Sequence, residues 1–229
     1  MFRIFSLFLA LVSIAWSENS LTRQEKKEGF ELLFDGKRLG RWHSIKLGPD
    51  AAPWRVRKGI LTYEKGESWL ATDETYVDFV LRLEYRTGAG SDSGIFLRSS
   101  ATGDPAFTGM ELEIKSDAGR TPDTHSTGAL YGVVAASKTA GKPAGEWNQV
   151  EASLIRRQLV VVWNGQEILD VNLDDPKFAG AEHGPLSARA LYGHIGLQAH
   201  GNGAPVEFRN IRLKVLKIGP LFGPKPNED

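Results

Sequence analysis

The chain has 229 residues, in which 28 Lys and Arg balance 28 Asp and Glu, and it contains no cysteine. A neutral chain without a long basic run does not attract nucleic acid or an acidic membrane surface, so neither is an expected partner. The lack of cysteine excludes disulfides, thiolate metal sites and a lipidated-cysteine anchor, and the length suffices for one large β-domain with a substantial core.

The first 17 residues have the layout of a secretory signal peptide, because Arg3 precedes an apolar run from Ile4 to Ile14 and small residues lead up to Ser17. The apolar run is shorter than the ~20 residues that a membrane span needs. We therefore expect a secreted or periplasmic protein, with no membrane span after signal removal. The polar stretch 18–29 is predicted to be a flexible leader, 30–217 a single domain, and the Pro- and Gly-rich end 218–229 a disordered tail.

Short alternating segments follow one another along the predicted domain. Asn164-Gly165 between two β-rich runs predicts a hairpin, and Gly201-Asn202-Gly203 predicts a tight turn between the last two strands. Almost no helical periodicity is present, which indicates an all-β sandwich of two antiparallel sheets. The predicted strands begin at Phe30 and continue at 53–63 (two strands), 69–72, 76–86, 94–98, 110–114, 130–134, 146–155, 159–163, 166–173 and 193–215 (two strands).

Side chains alternate between the two faces of a strand, so parity separates an apolar row from a polar row in four of these segments. A solvated outer face would explain such polar rows simply. Repeated Arg, Gln and His beside aromatic rings favours instead a surface that hydrogen-bonds a polyol and stacks on its ring. The polar rows, with the nearby aromatic residues, comprise Arg82, Glu84, Arg86, Phe96, Arg98, Glu111, Glu113, Lys115, Tyr131, Gln198 and His200.

Three chemistries could use this polar face. Glu111 and Glu113 point the same way with Cα atoms ~7 Å apart, a spacing from which flexible carboxylates could act as a retaining glycosidase pair. His200 could remove a proton next to a carbonyl, with Arg98 or Arg86 stabilising the enolate. A divalent cation such as calcium could bind loop carboxylates, but none of the candidate pairs forms a complete ligand loop and the metal ligands stay unassigned. The pairs are Asp73 with Glu74, Asp117 with Asp123, and Asp174 with Asp175.

The motifs resemble those of the 3-keto-disaccharide hydrolase domain family, over essentially residues 29–216. The matching segments occur in the family's order: FELLFDGKRLGRW, DFVLRLEYR, SDSGIFLR, GMELEI, TGALYG, KPAGEWNQVEASL, VVVWNGQEI and GHIGLQAHGNGAPVEFRNIRLK. The resemblance implies a concanavalin A-like jelly roll. It also implies cleavage of glycosides already oxidised at C3 by a partner oxidoreductase, through C2 proton abstraction, elimination of the aglycone and hydration.

Carried over from the family, the catalytic residues are expected to be His200, Glu113 and Arg98. The substrate-binding residues are expected to be Glu84, Arg86, Glu111, Tyr131 and Gln198, and Arg209 is interpreted as structural, with its side chain on the inward row beside Ile211. Two departures from the family pattern are Glu113, where Gln is usual, and Ala199, where an acid often precedes the histidine. The rival hypotheses are a non-catalytic carbohydrate-binding module on the same fold and an ordinary retaining glucanase using Glu111 and Glu113.

Overall fold

The computed structural model describes residues 18–46, 53–63, 66–181, 183–201 and 203–217. The predicted signal peptide 1–17 and tail 218–229 lie outside these residues. The helices are α1 (Arg23–Glu28) and α2 (Pro105–Thr108), with 3₁₀ turns at Pro176–Phe178 and Leu186–Ala188. The strands are β1 (Glu31–Leu32), β2 (Trp42–Lys46), β3 (Trp54–Arg57), β4 (Ile60–Tyr63), β5 (Ser68–Thr72), β6 (Phe79–Arg86), β7 (Asp92–Ser99), β8 (Met110–Lys115), β9 (Asn148–Ile155), β10 (Gln158–Trp163), β11 (Gln166–Asn172), β12 (His194–Ala199) and β13 (Glu207–Val215).

Two antiparallel sheets carry almost all of the regular structure. The larger sheet has the strand order β11-β10-β9-β6-β13-β4-β3, with β1 added beside β13, and the smaller has the order β2-β5-β12-β7-β8. The predicted apolar row of β6, from Phe79 to Tyr85, is buried in the main core together with Ile95 and Leu97 of β7. The architecture is a concanavalin A-like jelly-roll β-sandwich, as the sequence predicted.

The Asn164-Gly165 hairpin is confirmed. Trp163 pairs with Gln166 across the turn, and both turn residues have positive φ, 51° at Asn164 and 78° at Gly165. This geometry defines a type I′ turn, whose twist matches that of the flanking strands.

The leader prediction for 18–29 is wrong, because this stretch is ordered and contains a docked helix, α1. Thr22 and Glu25 form a reciprocal capping box at the start of α1, and Gly29 ends the helix with φ 84°. Glu25 then reaches into the protein, where its Oε1 accepts a 2.6 Å hydrogen bond from fully buried Arg212. A capped helix of only six residues is thus held in place by a buried ion pair.

Two strand predictions also need correction. The last two strands do not form a hairpin across the predicted 201–203 turn, because β12 lies in the smaller sheet and β13 in the larger. The predicted strand 130–134 is a tight turn in which Leu130 and Val134 exchange backbone hydrogen bonds. Among the described residues, no helix is long and apolar enough to cross a membrane.

Candidate active site

The outer face of the smaller sheet forms the floor of a cleft of about 570 Å³. The strands β7, β8 and β12 carry its floor, and the loop around α2 and the turn at Tyr131 supply walls. The cleft brings together five of the eight predicted site residues. Its lining comprises Glu67, Asp92, Gly103, Asp104, Pro105, Ala106, Phe107, Glu111, Glu113, Lys115, Tyr131, Gln198 and His200.

Glu111 and Glu113 project from β8 into the cleft and are almost fully buried, at 4% and 2% exposure. A Cβ atom on Gly94, the cross-strand partner of Glu113, would collide with the Glu111 carboxyl, so only glycine leaves room for it. Burial raises the pKa of Glu111 well above its ordinary value, and the neighbouring Glu113 carboxyl raises it further. Burial also raises the pKa of Glu113 to about 8, against the opposing effect of Lys115.

Lys115 places a positive charge beside these carboxyls. Its Nζ lies 3.3 Å from Glu113 Oε1 and 3.8 Å from Asp92 Oδ2, and it donates a 2.9 Å hydrogen bond to the His125 carbonyl. Burial lowers the pKa of Lys115, but the two carboxylates outweigh this effect and the net shift is upward. Lys115 is therefore a fixed cation that could stabilise an oxyanion in the cleft.

His200 follows β12 and forms an antiparallel bridge with Asp92 at the start of β7. Its side chain is 43% exposed, and its Nδ1 lies 3.7 Å from Glu67 Oε1. Gln198, two residues earlier, projects into the same cleft. Although Ala199 stands where an acid often precedes this histidine, Glu67 provides a carboxylate near the imidazole from another part of the chain.

Two aromatic rings line the same cleft as the carboxyls. Tyr131 is held at the edge of β8 by its backbone N–H, which donates a 3.0 Å bond to the Glu111 carbonyl. The Phe107 ring lies 6.2 Å from the Tyr131 ring and stacks on His183 at 3.6 Å. Rings at the wall and hydrogen-bonding groups at the floor are a combination suited to a small polyol.

Arg98 does not line the cleft, which corrects its expected role at the catalytic centre. It adopts φ 54° where the β7–β12 register shifts, and this turns its side chain between the two sheets. The guanidinium is fully buried and donates hydrogen bonds to the carbonyls of Val77, at 2.6 Å, and Arg156, at 2.6 Å, and to Asp78 Oδ1, at 3.2 Å. Its guanidinium nitrogens therefore link the two sheets and do not reach the cleft.

Glu84 and Arg86 are also far from the cleft, because β6 belongs to the larger sheet. Glu84 accepts hydrogen bonds from Arg209 Nε, at 2.6 Å, and Asn210 Nδ2, at 3.0 Å, while Arg86 pairs with Glu207 at 2.5 Å. The substrate-binding assignments of Glu84 and Arg86 are therefore corrected to structural ones. Arg209 is structural as predicted, but a register shift after it removes it from the inward row.

The sequence reasoning did not assign five other polar or aromatic cleft residues to the site. Lys115 carried a usable signal, because it shares the β8 polar row with the two glutamates. Glu67, Asp92, Asp104 and Phe107 lie at strand ends or in the α2 loop, where alternation gives no information.

The loop carboxylates considered as calcium ligands have other partners in the fold. Asp117 accepts hydrogen bonds from the Thr127 N–H and hydroxyl, Asp174 pairs with Arg157, and Asp175 caps a 3₁₀ turn. Within the described residues, no group of three or more His, Cys, Asp or Glu side chains is arranged to hold a metal.

The buried carboxyl of Glu113 makes stability depend on pH. Its pKa is about 8 in the folded protein against 4.5 ordinarily, so between these values the folded state binds more protons than the unfolded state. We expect the free energy of unfolding to fall as pH rises through this window, by about 1 kcal/mol per pH unit from this group. Urea denaturation of wild type and Glu113→Gln at several pH values across the window measures this dependence. An equal decline of the unfolding free energy in both proteins would contradict the assignment to Glu113.

The fold and the cleft together define a class, namely a jelly-roll β-sandwich with an acidic, aromatic-walled cleft on its smaller sheet. The chain belongs to the 3-keto-alpha-glucoside-1,2-lyase-like domain family, whose model matches residues 29–214. A 3-keto-disaccharide hydrolase of Bacteroides thetaiotaomicron is 26% identical over 243 aligned positions, which cover 86% of this chain and 82% of the relative. The predicted family is confirmed.

Solved structures show the same fold. A crystal structure from Parabacteroides distasonis ATCC 8503, provisionally described as a glycosyl hydrolase, has a TM-score of 0.73 at 24% identity and covers 87% of this chain and 100% of that chain. The exoplasmic/lumenal domain of VIP36, in a form bound to Ca²⁺ and Man3GlcNAc, has a TM-score of 0.51 at 10% identity and covers 84% of this chain and 90% of that chain.

Proposed function

We propose that this protein is an exported enzyme that cleaves glycosides whose sugar ring carries a ketone at C3. Membership of the family supports action on glycosides in general, and the curated relative bears the name of a 3-keto-disaccharide hydrolase. The observation that carries the proposal is the content of the cleft: an imidazole, an ammonium and two buried carboxyls with raised pKa values. They include a base, an acid and a cation, which are the groups that elimination next to a ketone uses.

The C3 ketone acidifies the proton on C2. A base removes that proton, and the resulting enolate expels the C1 oxygen of the aglycone, which takes up a proton as it leaves. Water then adds across the C1–C2 double bond, with hydroxide at C1 and a proton at C2, to give the free 3-keto sugar. The sequence needs a base, an acid and a group that stabilises the enolate oxygen.

Each requirement has a candidate in the cleft. His200 is the base that we propose for the C2 proton, with Glu67 near its Nδ1. Glu113 carries a proton at neutral pH, because its pKa is about 8, and so can supply one to the departing oxygen. Lys115, rather than Arg98, is the cation available to the enolate oxygen. Glu111, Tyr131 and Gln198 are left to bind the sugar hydroxyls.

The same pKa directions argue against an ordinary retaining glycosidase. That mechanism needs one ionised carboxylate as nucleophile beside one protonated acid. Burial and mutual repulsion favour the neutral form of Glu111, and burial favours that of Glu113. The cleft thus suits a reaction that uses carboxyls as proton donors better than one that needs a carboxylate nucleophile.

We expect the mature protein to release a chromogenic aglycone from a 3-keto-glucoside and to leave the matching unoxidised glucoside intact. His200→Gln is expected to lower kcat/KM by about 10²–10⁴-fold, the usual contribution of a positioned base. The measurement is aglycone absorbance, with the exposed-residue variant Glu167→Gln as control. Full activity of His200→Gln would show that another group is the base.

Other results would point to the rival functions. Binding of plain oligosaccharides without turnover of the 3-keto substrate would favour a carbohydrate-binding module, and cleavage of unoxidised glucans would favour a glucanase. Loss of turnover in EDTA would establish a divalent cation in the reaction. The proposed substrate must itself be made by an oxidation at C3, so we propose an oxidoreductase as the upstream partner. Secretion by the predicted signal peptide is part of the same proposal.

A further inference from the structure

Two histidines lie next to each other on the outer face of the smaller sheet, outside the cleft. His43 on β2 and His194 on β12 have ring centroids 5.9 Å apart, with ring planes at 85°. One strand, β5, separates their strands. The β5 residue opposite His43 is Ala71, which also pairs with Gly196 of β12 and is fully buried. Its single methyl group leaves space over β5 in which the two rings can approach each other.

The contact of Nδ1 in each ring determines which ring nitrogen carries the proton and which carries the lone pair. His194 Nδ1 lies 2.7 Å from the Thr72 carbonyl oxygen, which can only accept, so Nδ1 carries the proton. His43 Nδ1 lies 2.8 Å from Asp73 Oδ1, and an ionised carboxylate likewise only accepts. In both neutral imidazoles the lone pair is therefore on Nε2.

We propose that His43 and His194 bind a divalent transition-metal ion of the zinc, nickel or copper class through their Nε2 atoms. Metal-binding histidines almost always donate the other ring N–H to a carboxylate or a backbone carbonyl, and these two histidines show one of each arrangement. Two imidazoles on one tetrahedral ion, with Zn–N distances of ~2.0–2.1 Å, have centroids roughly 5 Å apart. The observed centroid separation of 5.9 Å is close to this value.

The chemistry of the pair selects this class of ion. Imidazole nitrogens suit zinc, copper and nickel, whereas calcium and magnesium require oxygen ligands. Asp73 contacts His43 Nδ1 at 2.8 Å and so holds the orientation of that ligand. Because no cluster of three or more ligating side chains occurs among the described residues, water or a bound ligand would complete the coordination. The His43 side chain is 44% exposed, so the ion can enter from solvent.

A calorimetric titration with Zn²⁺ tests the site. Bound metal is first removed from the full mature chain with EDTA, and Zn²⁺ is then added at neutral pH while the heat of binding is measured. We expect one ion per chain in the wild type and loss of this binding in His43→Gln and in His194→Gln. Asp73→Asn, which keeps both ligands but weakens the support of His43, is expected to bind about 10–100-fold less tightly. His125→Gln, at an exposed histidine elsewhere, is the matched control and should bind like wild type.

Cu²⁺ electron paramagnetic resonance gives an independent signature. In the wild type the hyperfine pattern should show coupling to two equatorial imidazole nitrogens, and in each single variant it should show coupling to one. No saturable Zn²⁺ binding, or equal binding by wild type and His43→Gln, would overturn the proposal. Loss of the ion in His200→Gln instead would place it in the cleft and overturn it as well. Since binding is measured without substrate, these outcomes are separate from the test of the proposed reaction.

Discussion

Replacing Glu113 with glutamine is expected to lower kcat/KM for a 3-keto-glucoside by about 10²–10⁴-fold, the range for loss of a general acid. Glutamine keeps the size of the side chain and also its neutral charge at neutral pH, because the pKa of Glu113 is raised to about 8. The substitution therefore removes a transferable proton while disturbing the buried site little. Aglycone release under single-turnover and steady-state conditions measures the loss, and Glu167→Gln on the exposed side of β11 is the matched control.

The pH profile distinguishes an acid from a base at this position. If Glu113 donates a proton, wild-type activity falls as pH rises through about 8, because the carboxyl ionises there. The residual activity of Glu113→Gln should lack this falling limb. A wild-type rate that rises through the same pH would show that Glu113 acts as an ionised base, and unchanged activity in the variant would exclude both roles.

Strand prediction succeeded where one face of a strand is buried and its pattern is regular. In β6 and β8 the apolar rows are in the core, and the Asn164-Gly165 turn has the expected positive φ values. The α1 helix was missed although Thr22, Glu25 and Gly29 are local signals for its start and end. Its docking on the domain could not be read from the sequence, because it rests on the long-range pair Glu25–Arg212. A contact 187 residues apart in sequence leaves no local pattern.

The polar rows of β8 and β12 were correctly placed on one surface, and they supply Glu111, Glu113 and Gln198 to the cleft. Parity alone does not say to which sheet a strand belongs, so Glu84 and Arg86 were assigned to the same surface although β6 is in the other sheet. Parity also fails wherever the register shifts. That happens beside Arg98 and again after Arg209.

Arg98→Met is expected to lower the free energy of unfolding by about 3–5 kcal/mol, because it removes one partner of a buried ion pair. Asp78, itself only 5% exposed, would lose its guanidinium partner, and the carbonyls of Val77 and Arg156 would lose their donors. Burial lowers the pKa of Arg98 to about 10, so the guanidinium is charged at neutral pH and the pair is ionic. Urea denaturation measures the loss.

The matched control is Arg86→Met, which breaks a partly exposed pair with Glu207 and should cost about 0–1 kcal/mol. Arg98→Lys keeps the positive charge but loses the planar set of guanidinium donors. Its loss of unfolding free energy should lie between those of Arg98→Met and Arg86→Met. This variant allows the comparison to be made if Arg98→Met does not fold. Activity separates structure from catalysis. Because Arg98 links the two sheets through hydrogen bonds and does not line the cleft, the folded fraction of Arg98→Lys should keep the wild-type kcat/KM. A variant that is as stable as wild type yet inactive would show that Arg98 contributes to the reaction beyond its structural role.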